Sequence, residues 1–457
     1  MRRCDHKLKI VRYSMYAYGN GTPHGLIIRA DSRNTWEYVI RLSSWDIQYV
    51  TTTSHQYLIA HTLHIHYCNR LPGLLIMKLS FVSWIMSSGS IIVGLNGALQ
   101  KRFLLQPDVS LVPGNVHRAT AIQTGVGGKG QDVAISLSCL DFSDQTLAQF
   151  VGNGPEGDLV LNLLQDRIGT EAATALTVRT AAPMRTATTI VASDESTELV
   201  EPSGIVSDIE QEMLIEKLAT GASDDAVASI CIMGSMPPGI PSDMYATIYK
   251  TVASSKTFCV MDSVTGLDPM LKVLSGNALL KINASELCQL AGVKKSSSET
   301  GGIVLDELVQ AVKEFITKYN ALEKLDGLAI TDGKHSSYLV SFANNKFEIF
   351  KITTPALDPK LVLYPIGAGD SVAAGTLASW TSLESSSKKL SDVIHAALDE
   401  RILKSGIASE RTRRIEASFA FGLACGSASC LNEENSVFDV EQVLKLFQTM
   451  PEPELVV

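Results

Sequence analysis

The sequence has no Cys-x-x-Cys spacing, no excess of basic charge, no long unbroken apolar run and no internal repeat, and each lack excludes a class of protein. Its eight cysteines (Cys4, Cys68, Cys139, Cys231, Cys259, Cys288, Cys425, Cys430) are scattered, so neither a zinc site nor a disulfide framework is expected. A reducing compartment fits best. The formal charge of −9 argues against a nucleic-acid partner, because a phosphate-tracking surface needs clustered Lys and Arg. The most apolar piece of the N-terminal part, residues 71–86, is short and broken by Lys78, so no membrane span is expected. What remains is a chain of 457 residues, 45% apolar, long enough to bury a large core as a soluble globular protein.

Residues 1–86 do not resemble the rest. Up to about residue 85 they hold six of the nine histidines, three of the four tryptophans and seven of the twelve tyrosines, with ten Lys and Arg against four Asp and Glu. An acid-poor, Arg-bearing segment permits a transit function toward a plastid or mitochondrion. Met86-Ser-Ser-Gly-Ser-Ile-Ile-Val-Gly-Leu95 reads like a natural start leading into a first strand. The simpler reading is therefore an extension of no catalytic importance, or an artefact of the gene model, and a cytoplasmic protein.

From Ile91 on, short β-branched runs alternate with helical stretches, which predicts a mainly parallel sheet covered on both faces. Main-sheet strands are expected at 91–95, 148–151, 176–180, 229–233, 257–261, 279–283 and 327–331, with a pair at 337–342 and 347–353. Segments 96–100, 113–118 and 120–124 are polar and alternating enough for strands of a small sheet outside the main one, and 186–192 alternates as a further strand. Helices are expected over 133–140, 157–167, 208–219, 284–290, 305–319, 371–380, 390–403, 417–431 and 440–448. The charged stretch 410–416 between two of these reads as a solvated face, and 385–389 as a loop.

Several stretches carry chemistry. Gly367-Ala368-Gly369-Asp370 stands at a helix entrance, where glycines let the backbone turn tightly and aim amide N–H groups at an anion. A phosphate there would repel Asp370 unless a hydroxyl about to be phosphorylated needed a base. In isolation, an ordinary glycine turn with Asp as N-cap reads the same. Gly125-Val-Gly-Gly-Lys-Gly130 opens a second helix with Lys129 and Asp132 beside it, and Gly234-Ser-Met-Pro-Pro-Gly-Ile-Pro241 makes a stiff turn after a buried strand, where open α/β sheets bind ligands. Asn283 and Glu286 form a capping arrangement, and equally a water-mediated magnesium site.

The order of these stretches is more informative than any one. Gly127-Gly128-Lys129-Gly130 with Val133-Ala134, then Gly234 to Gly239, then Lys281-Ile-Asn283 with Glu286, then Thr331-Asp-Gly333, then Gly367 to Asp370 resembles the ribokinase-like PfkB family of sugar kinases. Leu95-Asn96-x-Ala98-Leu99, Gly114-x-Val116-x-Arg118 and Gly369-Asp370-Ser371-x-x-Ala374-Gly375 are most similar to its 1-phosphofructokinase and tagatose-6-phosphate kinase branch. The resemblance implies a Rossmann-like α/β three-layer sandwich over 87–457, with a small β-sheet lid drawn from about 96–124 and 184–202. It implies an ATP-dependent kinase that phosphorylates a primary hydroxyl. Asp370 would be the base, with the amides of Gly367, Ala368 and Gly369 holding the transferred charge. Asn96, Gln100, Gly127, Gly128, Lys129, Asp132 and Arg185 would line the sugar site, and Lys281, Thr331, Gly333, Gly367 and Gly369 the ATP site. Glu286 and Asn283 would order Mg2+ through water, a monovalent cation is allowed nearby, and the lid would permit a homodimer.

A hexose phosphate is the favoured acceptor, with Lys129, Arg118 and Arg185 as contacts for its phosphate. An unphosphorylated sugar or nucleoside is the alternative, and a catalytically silent binding or regulatory relative is the reading from another class. The chain departs from the family pattern in having Gln100 for Asp, Asp132 for Asn, Tyr364-Pro-Ile366 ahead of the anion hole, and Ser336 for a second glycine.

Overall fold

The structure is a computed structural model. It describes residues 89–457 except 107, 143, 193–194, 222–226, 297–300, 344–345 and 385–388, together with four short strands nearer the N-terminus. The chain divides into two units, Met1–Val82 and Ser83–Val457. In the first, β1 (Gly25–Arg29) pairs antiparallel with β2 (Glu37–Arg41), and β3 (Ile47–Thr52) with β4 (His55–Ala60). The start expected at Met86 and most of the loop expected at 385–389 lie outside the described residues.

The second unit opens with β5 (Gly89–Val93), whose five residues are all buried. Then come β6 (Ala98–Leu104), β7 (Ala121–Gly127), α1 (Lys129–Cys139), β8 (Gln145–Asn153), α2 (Pro155–Ile168), α3 (Thr170–Thr174), β9 (Thr177–Pro183), β10 (Thr186–Ala192) and β11 (Glu195–Val200). They are followed by α4 (Asp208–Gly221), β12 (Val227–Met233), α5 (Met244–Val252), β13 (Phe258–Asp262), α6 (Leu267–Leu271), β14 (Ala278–Asn283), α7 (Ala284–Ala291) and α8 (Leu305–Tyr319). The last part is β15 (Gly327–Thr331), β16 (Ser337–Ala343), β17 (Lys346–Ile352), α9 (Ala368–Glu384), α10 (Asp392–Lys404), α11 (Glu410–Ser429), α12 (Val440–Thr449) and β18 (Glu454–Leu455).

Ten strands form the central sheet in the order β18-β17-β16-β15-β14-β13-β12-β5-β8-β9. The seven from β15 to β9 run parallel, as their continuous apolar runs require, and β16 to β18 add an antiparallel edge. Successive strand residues feed opposite cores. Ile92 and Val260 pack with α1, α2 and α9 to α12, whereas Ile91, Val93, Cys259 and Met261 pack with α4 to α8. Each large aliphatic buried this way contributes about 1.5–3 kcal/mol relative to exposure. Four further strands, in the order β11-β10-β6-β7, form the small sheet. Among the described residues no helix is long and apolar enough to cross a membrane.

Two expectations fail. Residues 113–118 are loop and no strand, since Gly114 adopts φ 88° and breaks the extended run. The charged stretch 410–416 is no solvated separator but the first two turns of α11. Glu416 is fully buried there, paired with Arg401 Nη2 at 2.6 Å, and Arg411 stacks 5.2 Å from the Trp380 ring. Removing one member of such a buried pair strands the other, so Glu416→Ala is expected to cost about 3–5 kcal/mol in urea unfolding. Glu410→Ala, on the same helix but mostly exposed, is expected to cost under about 1 kcal/mol in the same measurement.

Candidate active site

The site is built on the carboxyl ends of the parallel strands. Lys129, the first residue of α1, lies near β13 and points its ammonium at Asp262 Oδ1 (2.7 Å). Asp262 ends β13, and its other oxygen receives Lys281 Nζ from β14 at 2.5 Å. Asp262 and Lys281 are buried, while the Lys129 side chain stays 42% exposed and faces a cleft. Burial alone would pull the Lys129 ammonium down and the Asp262 carboxyl up. The mutual attraction outweighs both penalties, so the lysine is held above its ordinary pKa and the aspartate below.

Asp370 sits in the first turn of α9, which begins at Ala368, one residue past the turn-forming Gly367. Gly367 has φ 83°, and a Cβ there would collide with the side chains of Asn435 and Ser436. Only glycine fits. The Asp370 and Ser371 amides donate to Gly367 O (both 3.0 Å), and the Ala368 amide donates to Pro365 O at 3.3 Å. Gly369 lies over Lys281, whose Nζ would be 3.6 Å from an added Cβ. Asp370 is buried, and burial first, then the charge of Asp262, pushes its carboxyl up to about 7, against the pull of Lys129 and Lys281.

A cleft of about 520 Å3 runs from this turn to the small sheet. Of the residues expected to bind sugar, Asn96, Gln100, Gly127, Gly128, Lys129, Asp132 and Arg185 all line it, with Asp370 and Glu286. Asn96 spans the junction, donating to Ser235 Oγ (2.9 Å) and accepting from Ser203 Oγ (2.8 Å). Arg185 donates to the carbonyls of Asn96 (2.6 Å) and Gly97 (3.1 Å). Asp132 is buried, and burial first, then the charge of Asp370, raises its carboxyl well above the usual range. Its Oδ1 receives Asn435 Nδ2 at 2.8 Å, and Gln100 donates to the Tyr364 hydroxyl at 3.0 Å.

The remaining expectations divide. Asn283 and Glu286 make a complete capping box, each side chain accepting the other's backbone N–H at 2.8 Å, with Glu286 also on the cleft wall. Thr331 pairs in register with Asn283, and Gly333 lies in the exposed turn just beyond; neither lines the cleft. Lys281 is spent on Asp262 beneath the cleft instead of lining it. Arg118 is exposed in the loop after β6 and does not reach it. A second cavity of about 610 Å3, beyond Gln100 and Asn435, is lined by Arg102, Tyr364 and apolar residues of α1 and α2; it contains neither Asp370 nor Lys129.

Sequence reasoning missed Asp262, Asn435 and Glu198. A charged residue at the carboxyl end of a buried parallel strand was the available signal for Asp262. Asn435 comes from an irregular loop and Glu198 from an exposed edge strand, and neither carries a local pattern.

Residues 97–438 match the model of the pfkB family of carbohydrate kinases. Among solved structures, phosphofructokinase-2 from Escherichia coli in complex with potassium is 20% identical with a TM-score of 0.60, over 79% of this chain and 98% of that one. A possible 1-phosphofructokinase from Thermotoga maritima is 18% identical with a TM-score of 0.55 (80% and 99%). Ribokinase from the same organism is 15% identical with a TM-score of 0.51 (79% and 99%). These likenesses establish the ribokinase-like α/β fold. At Gly367, any side chain would collide with Asn435 and Ser436 and force open the turn that leads into α9. Gly367→Ala is therefore expected to lower kcat by about 10²–10³, the loss typical of one missing oxyanion donor, with the change read in steady-state assays.

Proposed function

The chain belongs to the pfkB family of carbohydrate kinases, an ATP-dependent sugar kinase family, and from that premise we propose that it transfers the γ-phosphoryl of ATP to a primary hydroxyl of a sugar or sugar phosphate. The observation that carries this reading is Asp370: a buried carboxyl, poised near neutrality, in the first turn of a helix whose N-terminus makes an anion hole. Asp370 takes the proton of the attacking hydroxyl as its oxygen bonds to phosphorus and the bond to the ADP oxygen breaks. The amides of Gly367 and Gly369 would donate to the charged oxygens of the transferred group, whereas the Ala368 amide is already engaged with Pro365 O at 3.3 Å. Lys281 adds its charge from below Gly369, and Lys129 from the cleft wall. Thr331 and Gly333, beside the Asn283 cap, border the nucleotide.

Glu286 suits Mg2+: one oxygen is committed to the cap while the residue still lines the cleft, and Mg2+ is ordinarily held by one or two carboxylates plus substrate phosphates. Bound there with Asn283 through water, it would neutralise charge between the β- and γ-phosphates. A monovalent cation draws support from the potassium complex of one neighbour, but the Pro365 carbonyl already receives the Ala368 amide, so no step is assigned to one. A homodimer through the lid draws support from Ile122 and Leu199, apolar and exposed on its strands. The hexose-phosphate acceptor draws support from the phosphofructokinase names of two neighbours. The unphosphorylated alternative draws support from the cleft lining, in which the carboxyl groups of Asp132, Glu198, Glu286 and Asp370 accompany two cations, Lys129 and Arg185.

Asp370→Asn is expected to lower kcat by about 10²–10⁴, the usual worth of a positioned base. In the wild type, kcat/KM should rise with pH through a limb near 7, the ionisation of Asp370. Because the Lys129 charge pulls that carboxyl down, Lys129→Met should move the limb to higher pH. The same raised carboxyl costs stability as the unfolded chain ionises first, with the full cost present above pH 7. Asp370→Asn should therefore gain more in melting temperature over wild type at pH 8 than at pH 5. Activity surviving in Asp370→Asn would remove the base from the mechanism.

A further inference from the structure

Two loops meet behind the turn that leads into α9, residues 362–367 ahead of that helix and residues 430–437 beyond α11. Hydrogen bonds join them: the Leu363 and Tyr364 amides donate to Cys430 O (2.8 and 3.1 Å), and Ser436 Oγ donates to Gly367 O at 3.3 Å. One side chain from the small sheet, Arg102 of β6, bonds to both loops. Its Nη1 donates to Glu433 O at 2.6 Å and to Gln123 Oε1 at 3.1 Å, and its Nη2 donates to Leu363 O at 3.4 Å. The guanidinium also lies 3.7 Å from the centroid of the Tyr364 ring.

Arg102 is only 8% exposed, and its buried Nε has no hydrogen-bond partner among the described residues. Burial lowers its pKa, so the charge is kept here at a desolvation cost. No carboxylate among the described residues pairs with it. Its partners are two backbone carbonyls, an amide oxygen and a ring face. Neutral oxygens converging from separate loops are what a potassium ion binds when it gives up its water. The monovalent cation allowed beside the residues ahead of the anion hole would need such oxygens, and they are engaged. Leu363 O has the guanidinium, Pro365 O the Ala368 amide, and Gly367 O the amides of Asp370 and Ser371. A second unit charge in this buried junction would be repelled by the first, where screening is weak. The residues present therefore do not fit a potassium ion here.

We infer that Arg102 is a positioning residue whose guanidinium does the work of a bound monovalent cation, holding together the loops on either side of the Gly367 turn, and that phosphoryl transfer by this chain needs no potassium. This rests on the kinase reading above and names what holds that same site in place. Gly367 is the point of action. Its turn lies against Asn435 and Ser436 of the second loop, so a change in the spacing of the loops moves the amides assigned to the transferred group.

The test uses the full chain with Mg2+, ATP and whichever of fructose, ribose, fructose 1-phosphate, fructose 6-phosphate and tagatose 6-phosphate turns over fastest. ADP release is followed in tetramethylammonium, sodium or potassium chloride at equal ionic strength, so that screening is constant. The wild type is expected to change in kcat by less than about twofold among the three salts, with no gain in melting temperature from potassium, which a ligand bound only by the folded state would give. In Arg102→Ala, kcat should fall about tenfold or more in tetramethylammonium, with the acceptor KM changing less, through misalignment of the turn. Potassium, or guanidinium chloride at about 10 mM, far below denaturing concentrations, should restore much of that loss. Arg102→Lys, which keeps the charge without the fork, should stay indifferent to potassium. Potassium stimulation of the wild type beyond the stated margin, or an Arg102→Ala variant that folds and keeps its kcat in tetramethylammonium, overturns the inference while leaving the kinase intact. If Arg102→Ala fails to fold, the wild-type and Arg102→Lys measurements decide. ADP release that no acceptor stimulates and that Asp370→Asn does not reduce overturns the kinase reading, and with it the inference.

Discussion

Asp262 has both carboxylate oxygens occupied, one by Lys129 and one by Lys281, and the surrounding site depends on that arrangement. Without it two ammonium groups would face each other beneath the N-terminus of α9, where the helix dipole already adds positive charge. With it the three charges sum to one net positive, close enough to hold part of the Asp370 population ionised near neutrality against its burial. A buried ion pair is weak evidence for stability, because desolvation offsets much of the attraction. Its worth here is electrostatic placement: a field of fixed sign, built from strand ends that cannot shift without disturbing the sheet.

The rigidity behind that field is a packing matter. α9 lies against α11 at glycines: a Cβ on Gly375 would come 2.9 Å from Gly422 Cα, one on Gly422 would collide with Val372 O, and one on Gly426 would come 2.7 Å from Ala368 O. The missing side chains let the two backbones approach closely. At the far end of α9, Trp380 packs on Phe258 of β13 at 4.4 Å between centroids, so the helix is pinned to the strand that carries Asp262. Asp370 and Asp262 are therefore held by one assembly of helix and strand, the kind of fixed alignment that a phosphoryl transfer would demand.

What the sequence made legible follows from the range of the interactions. The strands and helices of the core came through because their signals are local: β-branched runs for β12 and β15, the apolar face of α8, the Asn283–Glu286 cap. The glycine turns were visible for the same reason. The fate of each cation was not. Lys129, Lys281 and Arg185 look alike as residues that could contact phosphate, and only folding reveals that Asp262 takes the first two and backbone carbonyls the third. The charged stretch at the start of α11 failed for a related reason, since a partner for Glu416 fifteen residues away on α10 leaves no periodic mark.

The end of the cleft beside the small sheet carries this to its limit. Gln100 comes from a lid strand, Asp132 from α1, Tyr364 from the loop before α9 and Asn435 from the loop after α11, and hydrogen bonds join them pairwise across the cleft wall. Arg102, two residues from Gln100 on the same face of β6, stacks 3.7 Å over the Tyr364 ring and donates to Glu433 O at 2.6 Å, which fastens the lid to the loop that bears Asn435. The position of the small sheet and the shape of this end of the cleft are thereby one constraint. Moving the lid moves Gln100 against Asn435, and Asn435 orients Asp132. Because the same Asn435 also packs over Gly367, the cleft wall at Asp132 and the turn before α9 share a single side chain.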